Sequence, residues 1–288
     1  MSTQDFTRFH SRLRLLGTLR LETSLRIGAG RSDSLEGGAD ISVVKDASGT
    51  PYIPGSSFKG VLRSHVEALL RTINEDYACL CVTEREGENS GCPTTRDSRL
   101  LRGWIEERFR ESPAGELDRF YFDKSCRACQ VFGSPWLASK VMIRDLTVAG
   151  EWLGRYQHRD GVAIDRDTET ASEHKLYSFE AVPAGTEFEC EIILENATAE
   201  EQGMVLLGLK AFELGQVLLG GARSRGLGRV ALTWNWEQCY EVDEADKVGL
   251  LDYLLTGQGR SLGNEQVRKE AIDGKITALR RSLGVRHA

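Results

Sequence analysis

Nothing in these 288 residues approaches the run of roughly 20 apolar residues that crossing a bilayer requires, so no membrane partner is expected. The opening MSTQDFTRFHSRLR has no apolar core of the kind a secretory leader carries, and the chain is expected to be cytoplasmic. No GxxxxGK(S/T) loop is present, which argues against a stand-alone nucleotide-dependent enzyme. His10, His65, His158, His174 and His287 are scattered and read as surface or hydrogen-bonded side chains rather than catalysts. There is no internal repeat and no low-complexity linker. Positive charge is not in excess: 37 Lys and Arg face 43 Asp and Glu, a net charge of −6 that disfavours indiscriminate binding of nucleic acid. What remains is a globular chain long enough for one large core or two small ones.

Local charge tells more than the total. Arg8, Arg12, Arg14, Arg20, Arg26 and Arg31 stand in one stretch against a single acid, Glu22, whereas acids gather at Glu106–Glu116, Glu187–Glu201 and Glu237–Asp252. A basic groove on an acidic body is the expectation. Two glycine-punctuated segments are suited to such a groove. In Pro51–Arg63, PYIPGSSFKGVLR, Pro54 and Gly55 make a turn, and Ser56 or Ser57 is placed to cap a helix. That helix runs to about Asn74, with Phe58, Val61, Leu62, Val66, Leu69 and Leu70 at spacings of three and four and with Lys59 and Arg63 off the apolar face. An open helix N-terminus beside two hydroxyls and a lysine is a phosphate cradle, although an ordinary capped helix has the same local sequence. The second segment, Leu219–Val230, LGGARSRGLGRV, carries Gly220, Gly221, Gly226 and Gly228, with Gly215 just upstream, and Arg223, Arg225 and Arg229. Glycine permits close backbone approach and arginine grips phosphate in a planar fork. Ser56, Ser57, Lys59, Arg63, Arg223 and Arg225 are therefore the candidate contacts to the phosphates of a polyanion.

Periodicity gives the rest of the chain. Arg12–Ile27 alternates as a strand, Gly28–Asp40 is a polar glycine-rich loop, and Ile41–Lys45 with Tyr52–Ile53 forms a short hairpin around Asp46–Thr50. After the first helix, Asp76–Cys129 is an irregular insertion holding one helix near Arg99–Arg110. Strands follow at Val141–Ala149, Leu176–Val182 and Glu187–Leu194, with Arg155–Lys175 a polar break. Glu200–Leu218 is a second amphipathic helix, Val230–Trp236 a last strand, and the tail from Asp243 is helical and charged. Strand, helix, strands, helix, strand is the order of an α+β, ferredoxin-like (RNA-recognition-motif-like) palm. Residues 1–242 form that palm, 76–129 and 155–175 are insertions into it, and 243–288 are the tail.

Cys126-Arg-Ala-Cys129 is a CxxC, and Cys79, Cys81 and Cys92 lie upstream in the same insertion. Four thiolates from these five fit one tetrahedral structural Zn2+, with Cys79 and Cys81 competing for one position. The insertion has little apolar sequence, so a metal explains how it stays ordered. A redox pair lacks a thioredoxin-like context. Cys190, within a strand, and Cys239, standing alone, read as non-ligands.

The order GAGRSDSLEGGAD, PYIPGSSFKGVLRS, CRACQVFGS, GGARSRGLGRV resembles the RAMP (repeat-associated mysterious protein) superfamily, backbone subunits of type III CRISPR effector complexes, over roughly residues 12–236. The resemblance implies a ferredoxin-like palm and a protruding β-hairpin thumb, which Arg159–Ala171, RDGVAIDRDTETA, resembles. It implies guide CRISPR RNA, target RNA and other effector subunits as partners, with head-to-tail protein contacts along the guide. It further implies an endoribonuclease whose loop aspartate cuts paired target RNA; that position matches Asp40, with Asp33 and Glu36 as nearby alternatives. A carboxylate just after a glycine pair, as in Gly37-Gly38-Ala39-Asp40, suits a catalytic Mg2+ or Mn2+ beside a phosphodiester. A ribose 2′-OH would then attack, leaving a 2′,3′-cyclic phosphate and a 5′-OH. Some members of the family do not cut, so a catalytically inactive RNA-binding scaffold is the alternative.

Overall fold

The structure is a computed structural model that describes residues 6–28, 41–80, 92, 107, 116–164, 166–167, 169 and 171–285. It is a mixed α+β fold with antiparallel sheets. The strands are β1 (Ser11–Leu21), β2 (Tyr52–Ile53), β3 (Val141–Ile143), β4 (Leu146–Thr147), β5 (Gln157–Ile164), β6 (Ala171–Ala181), β7 (Glu187–Glu195), β8 (Val230–Trp234), β9 (Tyr240–Asp243) and β10 (Arg260–Ser261). The helices are α1 (Gly55–Ile73), α2 (Glu116–Lys124), α3 (Arg127–Phe132), α4 (Ala199–Glu213), α5 (Lys247–Thr256) and α6 (Glu265–Ser282). Among the described residues, no helix is long and apolar enough to cross a membrane.

Strand β1 is the spine. Leu13, Leu15, Leu19 and Leu21 alternate onto the buried face, as a half-buried strand requires. It pairs with β7 from Arg12↔Glu195 to Arg20↔Glu187; its other edge is shared by β9 near Ser11–Arg14 and β8 near Gly17–Leu21. With β3 beyond β7 and β10 beyond β9, these make a six-stranded antiparallel sheet among the described residues. The register corrects the charge reading. Arg12 pairs with Glu195, Arg14 with Glu191 at 2.6 Å, and Arg20 with Glu187 at 3.9 Å. The basic run on β1 is thus matched across the strand to the acidic run on β7, and these arginines do not line a basic groove.

Helices α1 and α4 close one core with the sheet. Phe58 stacks on Phe212 at 4.6 Å, and a Cβ on Gly208 would stand 2.4 Å from Val66, so only glycine admits this approach. Full burial of each such side chain contributes about 1.5–3 kcal/mol. Lys140, beside β3, is fully buried with both Glu201 oxygens at 2.6 and 2.8 Å. Glu201 also closes a capping box with Thr198 at the start of α4. The expected second helix stops earlier, at Glu213, where Gly215 turns at φ +64°.

Two readings change outside that core. Tyr52–Ile53 pairs with β4, not with Ile41–Lys45; the expected hairpin survives as an isolated Lys45↔Pro51 bridge around the Asp46–Thr50 turn. Residues after Lys175 continue β6 against β5, so Leu176–Ala181 belongs to a two-stranded hairpin. The tail is helical but docked. The boundary at 242 falls inside β9, β10 extends the sheet, and Lys275 of α6 is buried with Glu241 at 2.6 Å. The helix expected at Arg99–Arg110 lies outside the described residues except Glu107.

Candidate nucleic-acid groove and four-cysteine centre

The two glycine-punctuated segments meet. A groove of about 890 Å³ has one wall from α1 and the other from Gln216–Gly220, Arg223 and Ser224, with Ile27 between. On α1 the lining residues fall into two rows at four-residue spacing, Ser56-Gly60-Ser64 and Ser57-Val61-His65. Sequence reading missed Ser64 and His65; extending Ser56 and Ser57 by fours would have found them.

The start of α1 differs from expectation. Neither serine caps it. Pro54 occupies the N-cap at φ −55°, and the Gly55 N–H is accepted by Asp145 Oδ1 at 2.8 Å. A Cβ on Gly55 would sit 2.3 Å from the Ile143 carbonyl, so glycine starts the helix one residue before Ser56. Both serines consequently lie in the first turn, facing the groove, and among the described residues neither hydroxyl makes a hydrogen bond. Part of the helix's positive end is already matched by Asp145.

Lys59 and Arg63 turn the other way. Lys59 Nζ donates to Ser139 Oγ at 2.6 Å and the Val141 carbonyl at 3.0 Å, and burial, helped by the Arg63 charge, lowers its pKa. Arg63 donates to Glu67 at 2.7 Å, the Gly133 carbonyl at 2.9 Å and Cys129 Sγ at 3.2 Å. Four residues apart, they share a row along α1 and reach toward β3 and the cysteine segment.

The opposite wall is tight for its own reasons. Gly220 turns at φ +73° and a Cβ there would meet the Arg26 carbonyl at 2.3 Å; Gly228, at φ +88°, would meet the Leu219 carbonyl at 2.0 Å. The close approach these glycines allow is to the chain's own backbone. Arg223 is exposed on the groove wall, Arg225 donates to the Tyr177 hydroxyl, and Arg229 pairs with Glu22 at 2.5 Å.

Asp40, like Asp33 and Glu36, lies outside the described residues, but both flanks of that loop are placed. Gly28 bridges to Val43, and Ile41 runs parallel to β6, donating to the Ser178 carbonyl at 3.3 Å and accepting from Glu180 N–H at 3.0 Å. Arg26 lies 4.6 Å over the Phe179 ring beside this join.

On the other side of α1, the sulfurs of Cys79, Cys92, Cys126 and Cys129 lie within 4.8 Å of one another. Cys81 is outside the described residues. Cys126 is the N-cap of α3 and Cys129 lies in its first turn, so both thiols share one helix end. Cys79 Sγ and Cys129 Sγ are 3.6 Å apart. That is too long for a disulfide and close to the ~3.8 Å edge of a tetrahedron with ~2.3 Å metal–sulfur bonds. Backbone N–H groups of Cys79 and Cys126 approach the Cys126 and Cys92 sulfurs at 3.3 and 3.4 Å. Hydrogen bonds from Cys129, then Cys79, pull the Cys126 thiol down to about 7. These four residues fit a metal ion of thiolate preference. Cys190 and Cys239 are buried outside the cluster, and burial pushes Cys190 up to about 12.

Comparison with known proteins agrees with this architecture. The RAMP superfamily model matches residues 18–231. The CRISPR system Cms endoribonuclease Csm3 of Streptococcus thermophilus is 28% identical over 228 residues, covering 77% of this chain and 87% of that protein. The Methanothermobacter thermautotrophicus protein of the same name is 27% identical over 254 residues, covering 77% and 84%. That of Methanocaldococcus jannaschii is 26% identical over 228 residues, covering 75% and 76%. With its family match running from within β1 into β8, across the groove and the cysteine centre, the chain belongs to the RAMP superfamily.

Proposed function

We propose that this chain is a guide-RNA-binding backbone subunit of a type III CRISPR effector complex and cleaves complementary target RNA. The observation that carries the reading is the meeting of Ser56, Ser57 and Arg223 in one groove of a RAMP fold. The strand order β8-β1-β7-β3, with α1 and α4 packed on the sheet, supports a ferredoxin-like palm. The β5–β6 hairpin supports a thumb, and α5 and α6 form the tail. Such a subunit is cytoplasmic and meets its neighbours head to tail along the guide.

In this reading Ser56, Ser57, Arg223 and Arg225 contact RNA phosphates. Lys59 and Arg63 serve the groove from behind, by fixing α1 against β3 and the cysteine centre. Asp40 is the cleaving carboxylate, set one residue before the Ile41–β6 join. Mg2+ or Mn2+ bound there would supply charge stabilisation at the phosphodiester. The ribose 2′-O forms a bond to phosphorus, the bond to the 5′-oxygen breaks, and that oxygen leaves as a 5′-OH beside a 2′,3′-cyclic phosphate. Zn2+ held by Cys79, Cys92, Cys126 and Cys129 is structural: four thiolates leave no open coordination position.

The test is Asp40→Ala, with Asp33→Ala and Glu36→Ala as controls, in complexes assembled on guide RNA. Guide binding persists, and divalent-metal-dependent cutting of complementary RNA stops. DNA of the same sequence survives throughout, because it lacks the 2′-OH. Cutting by Asp40→Ala at the wild-type rate overturns the catalytic assignment and leaves a binding scaffold or a metal site elsewhere.

A further inference from the structure

Arg127 stands between two of the four cysteines and reaches away from them. Its guanidinium lies 4.2 Å over the Tyr77 ring. It also donates to the Ser282 carbonyl at 3.0 Å, to Ser282 Oγ at 3.0 Å and to Glu200 at 3.2 Å. Tyr77 is two residues before Cys79, so one side chain ties together two of the three segments that bring cysteines to the centre, those of Cys79 and of Cys126 and Cys129. Ser282 is the last residue of α6, whose terminal carbonyls have no partner within the helix. A planar cation is suited to close such an end.

The rest of α6 is held differently. Lys275 pairs with Glu241, Leu279 is buried, and a Cβ on Gly203 of α4 would meet the Lys275 carbonyl at 2.4 Å. These contacts fix the middle of the helix on α4 and β9. Among the described residues, Arg127 joins the C-terminal turn to the cysteine segment. The backbone position of Arg127 in turn depends on where Cys126 and Cys129 are held, since it lies in the first turn of α3 between them.

We propose that metal loading of the four-cysteine centre locks the C-terminal turn of α6 through Arg127, so that the cysteine-rich insertion and the C-terminal helix order together. The family match ends at residue 231, so the device joins that region to a segment beyond it. The proposal rests on the centre binding a metal, and the experiment separates the two. Backbone amide hydrogen exchange of the full chain is measured with Zn2+ bound and after chelation, with bound zinc counted in each sample. For wild type, chelation accelerates exchange in residues 279–285 by roughly tenfold or more, the scale of losing a charge-assisted hydrogen bond, while the Lys275 region changes less. Arg127→Ala retains zinc, exchanges fast at 279–285 in both samples and shows no further effect of chelation. Arg127→Lys falls between, having charge without the planar fork. Absence of zinc from the unchelated wild type sinks the metal reading. Zinc present with no change at 279–285 on its removal overturns the coupling alone, as does metal-dependent protection surviving in Arg127→Ala. Should Arg127→Ala fail to fold, the wild-type pair of samples decides.

Discussion

The Arg63 guanidinium donates to Cys129 Sγ at 3.2 Å. A residue whose sequence context suggests a phosphate ligand therefore supports sulfur charge at the cysteine centre. Replacing Arg63 by Ala is expected to weaken metal retention about 10–100-fold, the usual effect of losing a group that orients a ligand. Chelator competition measures it. Unchanged retention, together with a shallower salt dependence of RNA binding, would return Arg63 to the groove.

One zinc per chain is expected in protein purified without chelator, by elemental analysis, from the four-thiolate count. Serine at Cys79, Cys92, Cys126 or Cys129 abolishes it, and Cys81→Ser does not. Because thiolates bind the metal and protons compete for them, retention falls as pH falls. A metal-free preparation, or zinc lost from Cys81→Ser, contradicts this assignment.

Arg223→Ala with Arg225→Ala is expected to weaken binding to unrelated guide sequences alike. The slope of log affinity against log salt drops by roughly 0.7 for each single-strand phosphate contact removed. Lys59→Ala instead lowers the unfolding midpoint, since its ammonium bonds Ser139 and Val141. A salt slope that stays the same in the arginine pair counts against the groove.

Glycine positions in the second wall separate strain from collision. Gly226 turns at φ +83° with nothing near its missing Cβ, so alanine costs about 1–2 kcal/mol of left-handed strain. Gly228→Ala adds a collision 2.0 Å from the Leu219 carbonyl and is expected to be clearly worse in denaturant unfolding. Equal losses at the two sites would show that the loop relaxes freely.

Much of the layout follows from local sequence. The period-two leucines of β1, the apolar row Phe58-Leu62-Val66 of α1 and the Thr198/Glu201 box of α4 each specify an element within a few residues. The four clustered cysteines also announce themselves by type and by the CxxC spacing. What local sequence misstated were partners: the serines as caps and the β1 arginines as a basic face. Each has its own chemistry correct and its neighbour wrong.

β1, α1 and α4 are legible residue by residue, because a side chain's period of 2 or 3.6 is set by covalent geometry and needs no distant contact. The chemistry available is also written locally: hydroxyls and arginines in two glycine-rich segments, thiols in a third, arginines and glutamates in separate runs. Which neighbour each of these groups meets depends on packing between segments far apart in the chain. Antiparallel register set Arg12 opposite Glu195 and Arg20 opposite Glu187, and brought Arg14 diagonally to Glu191 at 2.6 Å. The packing of α1 set Ser56 and Ser57 along the groove and bound Lys59 and Arg63 to β3 and the cysteine segment. Charge interactions depend on distance through space, and residues 12 and 195 become neighbours only when the sheet forms.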